Sequence, residues 1–252
     1  MNKFTFLYAK YYDLLYKDKD YMGETEYIDK LVKKFNSNSK LILDLGCGTG
    51  KHAELLSYNG YIVYGVDASQ EMLKIAEQRS IGKEGSLKFI NSKIQNLEID
   101  NKFDVITALF HVLSYQTSNE DLLKSFEVVK KHLKKNGIFI FDFWYGPAVL
   151  TEMPEIRVKR LEDESVKIIR IAEPFIHYDK NTVDVNYTLL ITDKQTNETT
   201  ELHEQHKMRY FFDPELELLC KMFEFKILSK YKWLTFENPD SKSWNVVWII
   251  GN

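Results

Sequence analysis

Leu41-Ile-Leu-Asp-Leu-Gly-Cys-Gly-Thr-Gly50, followed one helix-length later by Tyr61-Ile-Val-Tyr-Gly-Val-Asp67, decides the fold. An apolar run that feeds straight into a glycine-rich turn reads as a buried parallel strand whose end offers bare backbone to a ligand, where a Cβ would block close approach. The second run ends in Asp67, 21 residues beyond Gly46. A doubly wound sheet places there the carboxylate that accepts hydrogen bonds from ribose hydroxyls. A nucleotide-type cofactor is therefore expected at the turn.

Glycine spacing separates the possible cofactors. The pyridine-nucleotide and flavin fingerprint is G-x-G-x-x-G, its third glycine allowing the helix to pack closely on the strand. Here the glycines are Gly46, Gly48 and Gly50, and Lys51 stands where that third glycine belongs. Asp44 also argues against a pyrophosphate, because a carboxylate repels phosphates and attracts a cationic amino group.

Working outward, the chain has 252 residues, 44% of them hydrophobic, enough for a large core in one domain with an insertion. A formal charge of −3 and the lack of a basic block leave no electrostatic footprint for DNA or RNA, so a small-molecule acceptor is the default. Cys47 and Cys220 are the two cysteines, which build neither a disulfide framework nor a metal cluster. The start of the sequence has no apolar core of signal-peptide length, and no run approaches the roughly 18 apolar residues that span a bilayer. A cytoplasmic protein without membrane partners is expected.

Residues 5 to 35 read as helical, with Tyr8, Tyr11, Tyr12, Leu15 and Tyr16 on one side and an amphipathic stretch from Tyr21 to Phe35. Alternation follows: strand 41–45, helix 51–59, strand 61–66, helix 69–79, strands 87–90 and 103–109, helix 119–134 and strand 138–143. Ser69 and Ser118 supply helix caps, and Asn136-Gly137 is expected to close the last of these helices in the left-handed way. After Pro147 the texture changes to period two over Val166–His177, Thr182–Thr192 and Thr200–Phe212, which are hairpin signals. Asp213-Pro214 opens a helix to Glu224, and Phe225–Phe236 and Ser243–Ile250 supply two last strands. The expected architecture is α/β, a Rossmann-like seven-stranded sheet with an inserted antiparallel sheet. Residues 1–146 and 211–252 form its cofactor-binding part with a helical cap, and 147–210 form the insertion. That insertion would bind the acceptor, or pair two subunits through an exposed edge as a homodimer.

Asp44-Leu-Gly-Cys-Gly-Thr-Gly50 with the downstream Val66-Asp67 resembles motif I and the acidic post-I position of class I S-adenosylmethionine-dependent methyltransferases. The resemblance implies that Gly46, Cys47 and Gly48 pass under the methionine moiety of S-adenosylmethionine. It implies further that Asp44 lies near the ammonium group, Asp67 holds the ribose, and Ala68 and Met72 flank the adenosine. The family commonly has an Asp after strand 3 for the adenine amino group; here Asn91 or Ser92 would substitute. Over nearly its whole length the chain is similar to a narrower group, the methyltransferases of nucleotide-linked sugars, including amino-sugar N,N-dimethyltransferases of deoxysugar pathways. The segments that carry this are Tyr12-Asp13-Leu14, Lys17-Asp-Lys-Asp-Tyr21, Cys47-Gly-Thr-Gly-Lys-His52, Leu109-Phe110-His111 and Leu202-His-Glu-Gln-His-Lys-Met-Arg-Tyr210. Where those dimethyltransferases carry a His shortly after strand 4, Tyr115 stands, with His111 one helical turn earlier. Transfer to a sugar hydroxyl and to a sugar amine both stay open, in surface-polysaccharide or deoxysugar synthesis.

Methyl transfer to a hydroxyl needs a base whose pKa lies near neutrality, and histidine fits best. His111, at the carboxyl edge of strand 4, is the first candidate, and His203 the second. His203 and His206 are three apart, so a strand turns them to opposite faces and they make a poor metal pair. No metal is expected. Tyr12 and Tyr16 can face the sulfonium or close the site, since an aromatic face attracts a cation. Leu109 borders the cofactor, while Trp144 and Tyr145 would clamp an acceptor beside His206. Lys207 and Arg209 would pair with a diphosphate, Arg with the better geometry. Rival readings are another small metabolite as acceptor, an NAD(P)-dependent sugar oxidoreductase, and a non-catalytic S-adenosylmethionine-binding subunit. The glycine spacing and the absence of a Tyr-x-x-x-Lys pair count against the oxidoreductase.

Overall fold

The computed structural model describes residues 6–83 and 85–252, so position 5 of the expected first helix lies outside the described residues. Two helices open the chain, α1 (Phe6–Leu15) and α2 (Tyr21–Phe35), where one continuous helical stretch was expected. The break has a local cause: Asp20 caps α2 by accepting the Gly23 N–H at 2.8 Å.

The alternating part follows as β1 (Leu41–Leu45), α3 (Lys51–Tyr58), β2 (Ile62–Asp67), α4 (Gln70–Arg79), β3 (Leu87–Asn91), β4 (Phe103–Ala108), α5 (Asn119–His132) and β5 (Leu133–Tyr145). Ser69 accepts the Met72 N–H and Ser118 the Asp121 N–H, so both serines act as the caps their positions suggest. Strands β3, β2, β1, β4 and β5 run parallel in that order. Next to β5 lies the antiparallel β11 (Asn245–Gly251), and β10 (Lys226–Lys232) pairs with β11. These seven strands are the expected sheet. Between β5 and β10 the chain makes α6 (Gly146–Thr151), an antiparallel meander of β6 (Arg157–Glu162), β7 (Val166–His177), β8 (Thr182–Asp193) and β9 (Thr199–Phe211), and then α7 (Asp213–Met222). The meander joins the main sheet by a two-residue parallel ladder, Trp144 to Tyr210 and Tyr145 to Phe211.

Alternation along β5 divides the core. Phe139, Phe141 and Phe143 face α5 and α7 with Phe126, Leu216 and Trp248, whereas Ile138 and Ile140 face α2 and α3 with Ile28, Leu31 and Leu56. Asp142 shares the second parity and is 1% exposed, an acid set into an apolar layer.

Several boundaries differ from expectation for identifiable reasons. Helix α5 stops at His132, whose buried ring nitrogens stand 3.3–3.4 Å from the carbonyls of Asn101 and Leu97, and Leu133 already pairs with Phe103. Asn136-Gly137 therefore forms an irregularity inside β5, with Asn136 at φ 63°, and does not close the helix. Helix α7 ends before Glu224, which takes φ 55°, and β10 ends before Leu234, at φ 62°. Strand β6 and helix α6 were not expected; Arg157, Lys159, Arg160 and Glu162 hide the period of an edge strand that charge protects. Among the described residues no helix is long and apolar enough to cross a membrane.

Phe126 is fully buried and its ring contacts those of Phe139, Phe141, Phe223 and Phe225. Phe126→Ala is expected to lower the unfolding free energy by about 3–5 kcal/mol, read from the urea midpoint. A loss under about 1 kcal/mol would mean that the helix face collapses to fill the space.

Candidate functional site

At the carboxyl ends of β1, β2 and β4 lies a cavity of about 1230 Å³, walled on one side by the glycine turn and on the other by one face of the meander. The turn is pinned to β2, because the N–H groups of Gly46 and Cys47 both donate to the Val66 carbonyl, at 2.7 and 3.0 Å. Its glycines serve different ends. A Cβ on Gly46 would meet Val112 Cγ2 at 2.5 Å, while a Cβ on Gly48, at φ +56°, would meet nothing within 4 Å and would enter the open cavity. Gly48 is thus a bare ledge against which a ligand can lie.

Two acids flank that ledge. Asp44 is 2% exposed and accepts the Thr107 hydroxyl at 2.7 Å; burial pushes its carboxyl up to about 6, against the pull of that bond and of His52. Asp67 takes the Gly48 N–H on one oxygen and the Ser69 N–H on the other, both at 2.8 Å. Burial raises its pKa, and those amides oppose the rise. The pair offers negative charge at both ends of the glycine turn. Ala68, Met72, Ser92 and Leu109 also line the cavity. Asn91 is there too, its side-chain amide donating to the Asp67 carbonyl at 3.0 Å.

Aromatic residues close the top. Tyr12 and Tyr16 pack with ring centres 4.7 Å apart and planes tilted by 48°, and Tyr16 meets Phe110 edge-on at 5.1 Å. Helix α1 is moored over the turn by Asp13, which accepts the Thr49 hydroxyl at 2.9 Å and forms an ion pair with Arg79.

Below that lid, Phe110 and His111 have φ of 62° and 64°, a left-handed conformation unusual for two adjacent residues with side chains. Three contacts hold it. Asp142 accepts the His111 N–H at 3.2 Å, Lys19 sits 4.2 Å over the Phe110 ring, and Tyr16 packs on the same ring. His111 Nδ1 stands 2.7 Å from Asp142 Oδ2, at ion-pair distance without hydrogen-bond alignment. On the meander side, Trp144 stands 6.2 Å from the His111 ring and 5.8 Å from Trp244. Tyr115 and His206 share a hydrogen bond of 2.9 Å.

Four expected site residues are not brought to the cavity; one is Lys207, half exposed near Asp184 on the meander's outer face. His203 is mostly exposed beside Glu201 and Thr188, on the meander's outer face. Arg209 shares that parity and forms an ion pair with Glu215, so it is not directed at an acceptor. Tyr145 points away from Trp144 on β5 and bonds to Asp213 at 3.5 Å. In their place the cavity is lined by Tyr187, Trp244 and Arg170, which were not expected there. The one trace of Arg170 in the sequence is a charge inside the apolar run Ile168-Ile-Arg-Ile171. Among the described residues, no three His, Cys, Asp or Glu side chains are grouped to hold a metal ion.

Comparison with known proteins agrees with this geometry. Residues 42–137, from β1 into β5, match the family model described as a methyltransferase domain. That stretch, less than half of the chain, is similar to a methyltransferase domain. A putative methyltransferase of Geobacillus sp. (strain WCH70) is 31% identical over 54% of this chain and 55% of its own length, so the chain spans about half of that relative. A dTDP-3-amino-3,6-dideoxy-alpha-D-glucopyranose N,N-dimethyltransferase of Streptomyces fradiae is 22% identical over 83% of this chain and 80% of its own. An S-adenosylmethionine-dependent methyltransferase from Clostridium acetobutylicum ATCC 824 has the same fold, with a TM-score of 0.83 over 97% of both chains at 24% identity. The bare ledge at Gly48, with acids on either side, suits a cationic ligand of the shape of S-adenosylmethionine.

The elevated Asp44 pKa sets a pH dependence. Pairing with an ammonium requires the carboxylate, so affinity for S-adenosylhomocysteine is expected to rise with pH up to about 6 and then level off. Asp44→Asn is expected to weaken binding by about tenfold or more and to flatten the profile, as read by calorimetry between pH 5 and 7.5. Because ionising this buried acid costs stability as pH rises from its ordinary range through about 6, the same variant is expected to unfold at higher urea at neutral pH. Unchanged affinity would remove Asp44 from the binding site.

Proposed function

We propose that this chain transfers the methyl group of S-adenosylmethionine to a hydroxyl or amino group of a sugar, one carried on a nucleotide. The observation that carries the reading is the continuity of the cavity: the glycine turn, His111 and the aromatic face of the meander border one space. At about 1230 Å³ it exceeds the roughly 300–1,000 Å³ of ordinary small-molecule sites and suits two ligands side by side. The Streptomyces fradiae relative, named for an amino-sugar substrate, supports the acceptor class.

In this reading Tyr12, Asp44, Gly46, Cys47, Gly48, Asp67, Ala68, Met72, Ser92 and Leu109 hold the cofactor, Ser92 serving the adenine in place of the usual acid. The insertion, 147–210, supplies much of the acceptor wall; Tyr16, Trp144 and His206 border the sugar, whose faces suit aromatic planes. S-adenosylmethionine supplies a methyl group on a positively charged sulfur. The chain's own work is to align the acceptor with that carbon and to exclude water. Asp142 fixes His111 through its main-chain N–H and faces Nδ1, leaving Nε2 to take the proton that a hydroxyl acceptor loses. A neutral amine needs no such base during attack. Such products belong to surface-polysaccharide or deoxysugar synthesis.

The test is incubation with S-adenosylmethionine and a panel of nucleotide-linked hexoses, heptoses and amino sugars, followed by mass spectrometry. One added methyl on a panel member is the expected result; no product from any of them, with S-adenosylhomocysteine still bound, would overturn the sugar reading. His111→Ala is expected to slow transfer to a hydroxyl by about 10²–10⁴-fold and transfer to an amine by less than about tenfold, measured as kcat.

A further inference from the structure

We propose that Arg170 is an anion-recognition residue of the acceptor site, pairing with a carboxylate or phosphate group that the acceptor must carry. The inference deepens the function proposed above and rests on it for the identity of the cavity. Arg170 lies on β7 directly opposite Leu189, and Ala172 lies opposite Tyr187, which places Arg170, Ala172 and Tyr187 on one face of the meander. Val185 and His206, opposite one another on β8 and β9, share that face. It is the face that walls the cavity.

The guanidinium is held in place but makes no ion pair with a described residue, although the buried Glu204, opposite Tyr187 on β9, shares its face. Its Cζ stands 5.5 Å from the Tyr16 ring centre and 5.2 Å from that of Tyr187, a cation between two aromatic planes. Nε and Nη1 are closed off from solvent and have no hydrogen-bond partner among the described residues. Other enclosed arginines are treated differently: Arg79 is matched by Asp13 and Glu54, and Arg209 by Glu215. A buried N–H without an acceptor costs free energy, and a guanidinium, which does not shed its charge, cannot escape that cost by deprotonating. Aromatic planes fix the fork and leave its edge to an acceptor atom that the described residues do not provide. A carboxylate or phosphate supplies acceptor oxygens for such charged donors.

Charge is also divided across the cavity. The parallel half contributes four acids, Asp44, Asp67, Glu71 and Asp121, against two lysines, Lys51 and Lys93, whereas the meander side contributes Arg170 and Arg157, with Glu155 beside the latter. A cationic cofactor and an anionic acceptor would each meet the wall of opposite sign. Tyr16 links the two regions, because it stacks against Arg170 and packs on Phe110, the neighbour of His111. The recognised anion therefore lies close to the reacting centre.

The experiment is calorimetric titration of the full chain, saturated with S-adenosylhomocysteine, with UDP, with methyl glucuronide and with methyl glucoside, in wild type, Arg170→Gln and Lys207→Gln. Lys207 is half exposed on the opposite face and serves as a control for net charge. The expected result is that an anionic probe binds wild type and Lys207→Gln alike and is weakened about ten- to a hundredfold by Arg170→Gln, with S-adenosylhomocysteine affinity unchanged. Loss confined to UDP assigns the anion to a phosphate, and loss confined to the glucuronide assigns it to a carboxylate. Equal binding of both anionic probes by wild type and Arg170→Gln, or binding of neither by wild type, overturns the proposal. UDP carries no hexose, so Arg170-dependent UDP binding without turnover of any nucleotide-linked sugar would sink the sugar reading and leave the anion site standing.

Discussion

The meander side of the cavity depends on a short ladder. Strand β5 runs 13 residues, past the point where its parallel partner β4 stops, and its overhanging Trp144 and Tyr145 pair with Tyr210 and Phe211 of β9. That overhang orients the meander. With the Tyr115–His206 bond, it sets one meander face across from the glycine turn and determines which meander residues reach the cavity. A shift of one residue in this register would exchange the faces, bringing His203 and Arg209 inward and sending His206 out.

A second constraint meets the first at β5. Asp142 is a buried acid in an apolar layer, and such a group must find hydrogen bonds or become costly. It finds them in the main-chain N–H of His111, which can present itself only because Phe110 and His111 accept a left-handed backbone. Conformations of this kind cost of order 1–3 kcal/mol each, and here they are held by Lys19, Tyr16 and the acid itself. The same acid that relieves its own burial thereby aims the imidazole. Asp44 resolves the problem differently, through one hydroxyl bond and a raised pKa.

How much of this was legible in the sequence follows from which forces are local. Buried parallel strands announce themselves as unbroken apolar runs, and a glycine turn set between such a run and a helix exposes main chain at the sheet's carboxyl edge, so the parallel half and the glycine-turn wall of the cavity could be read directly. The meander was readable as alternation, except for β6, whose charges mask its period, and α6, a short helix opened by Pro147. Faces were harder. His206 and Arg209 are three apart on one strand and so cannot both face the same ligand, a parity that applies to Arg209 as much as to His203. Which parity points inward is decided by the ladder to β5, between residues 66 apart in sequence, and nothing local encodes it. Asp142 and Arg170 stayed hidden for the same reason: an acid and a base within apolar runs acquire meaning only from what the fold sets opposite them.

The ladder has one more consequence. Tyr145 and Phe211 are direct neighbours, so the chain departs for its long excursion and comes home at the same spot. Insertions with adjacent ends place little demand on their host, since removing or exchanging them leaves no gap to span. A lineage could therefore refit one wall of the cavity while the glycine turn stays untouched, and a graft of residues 146–211 between relatives is the natural unit for redesigning that wall.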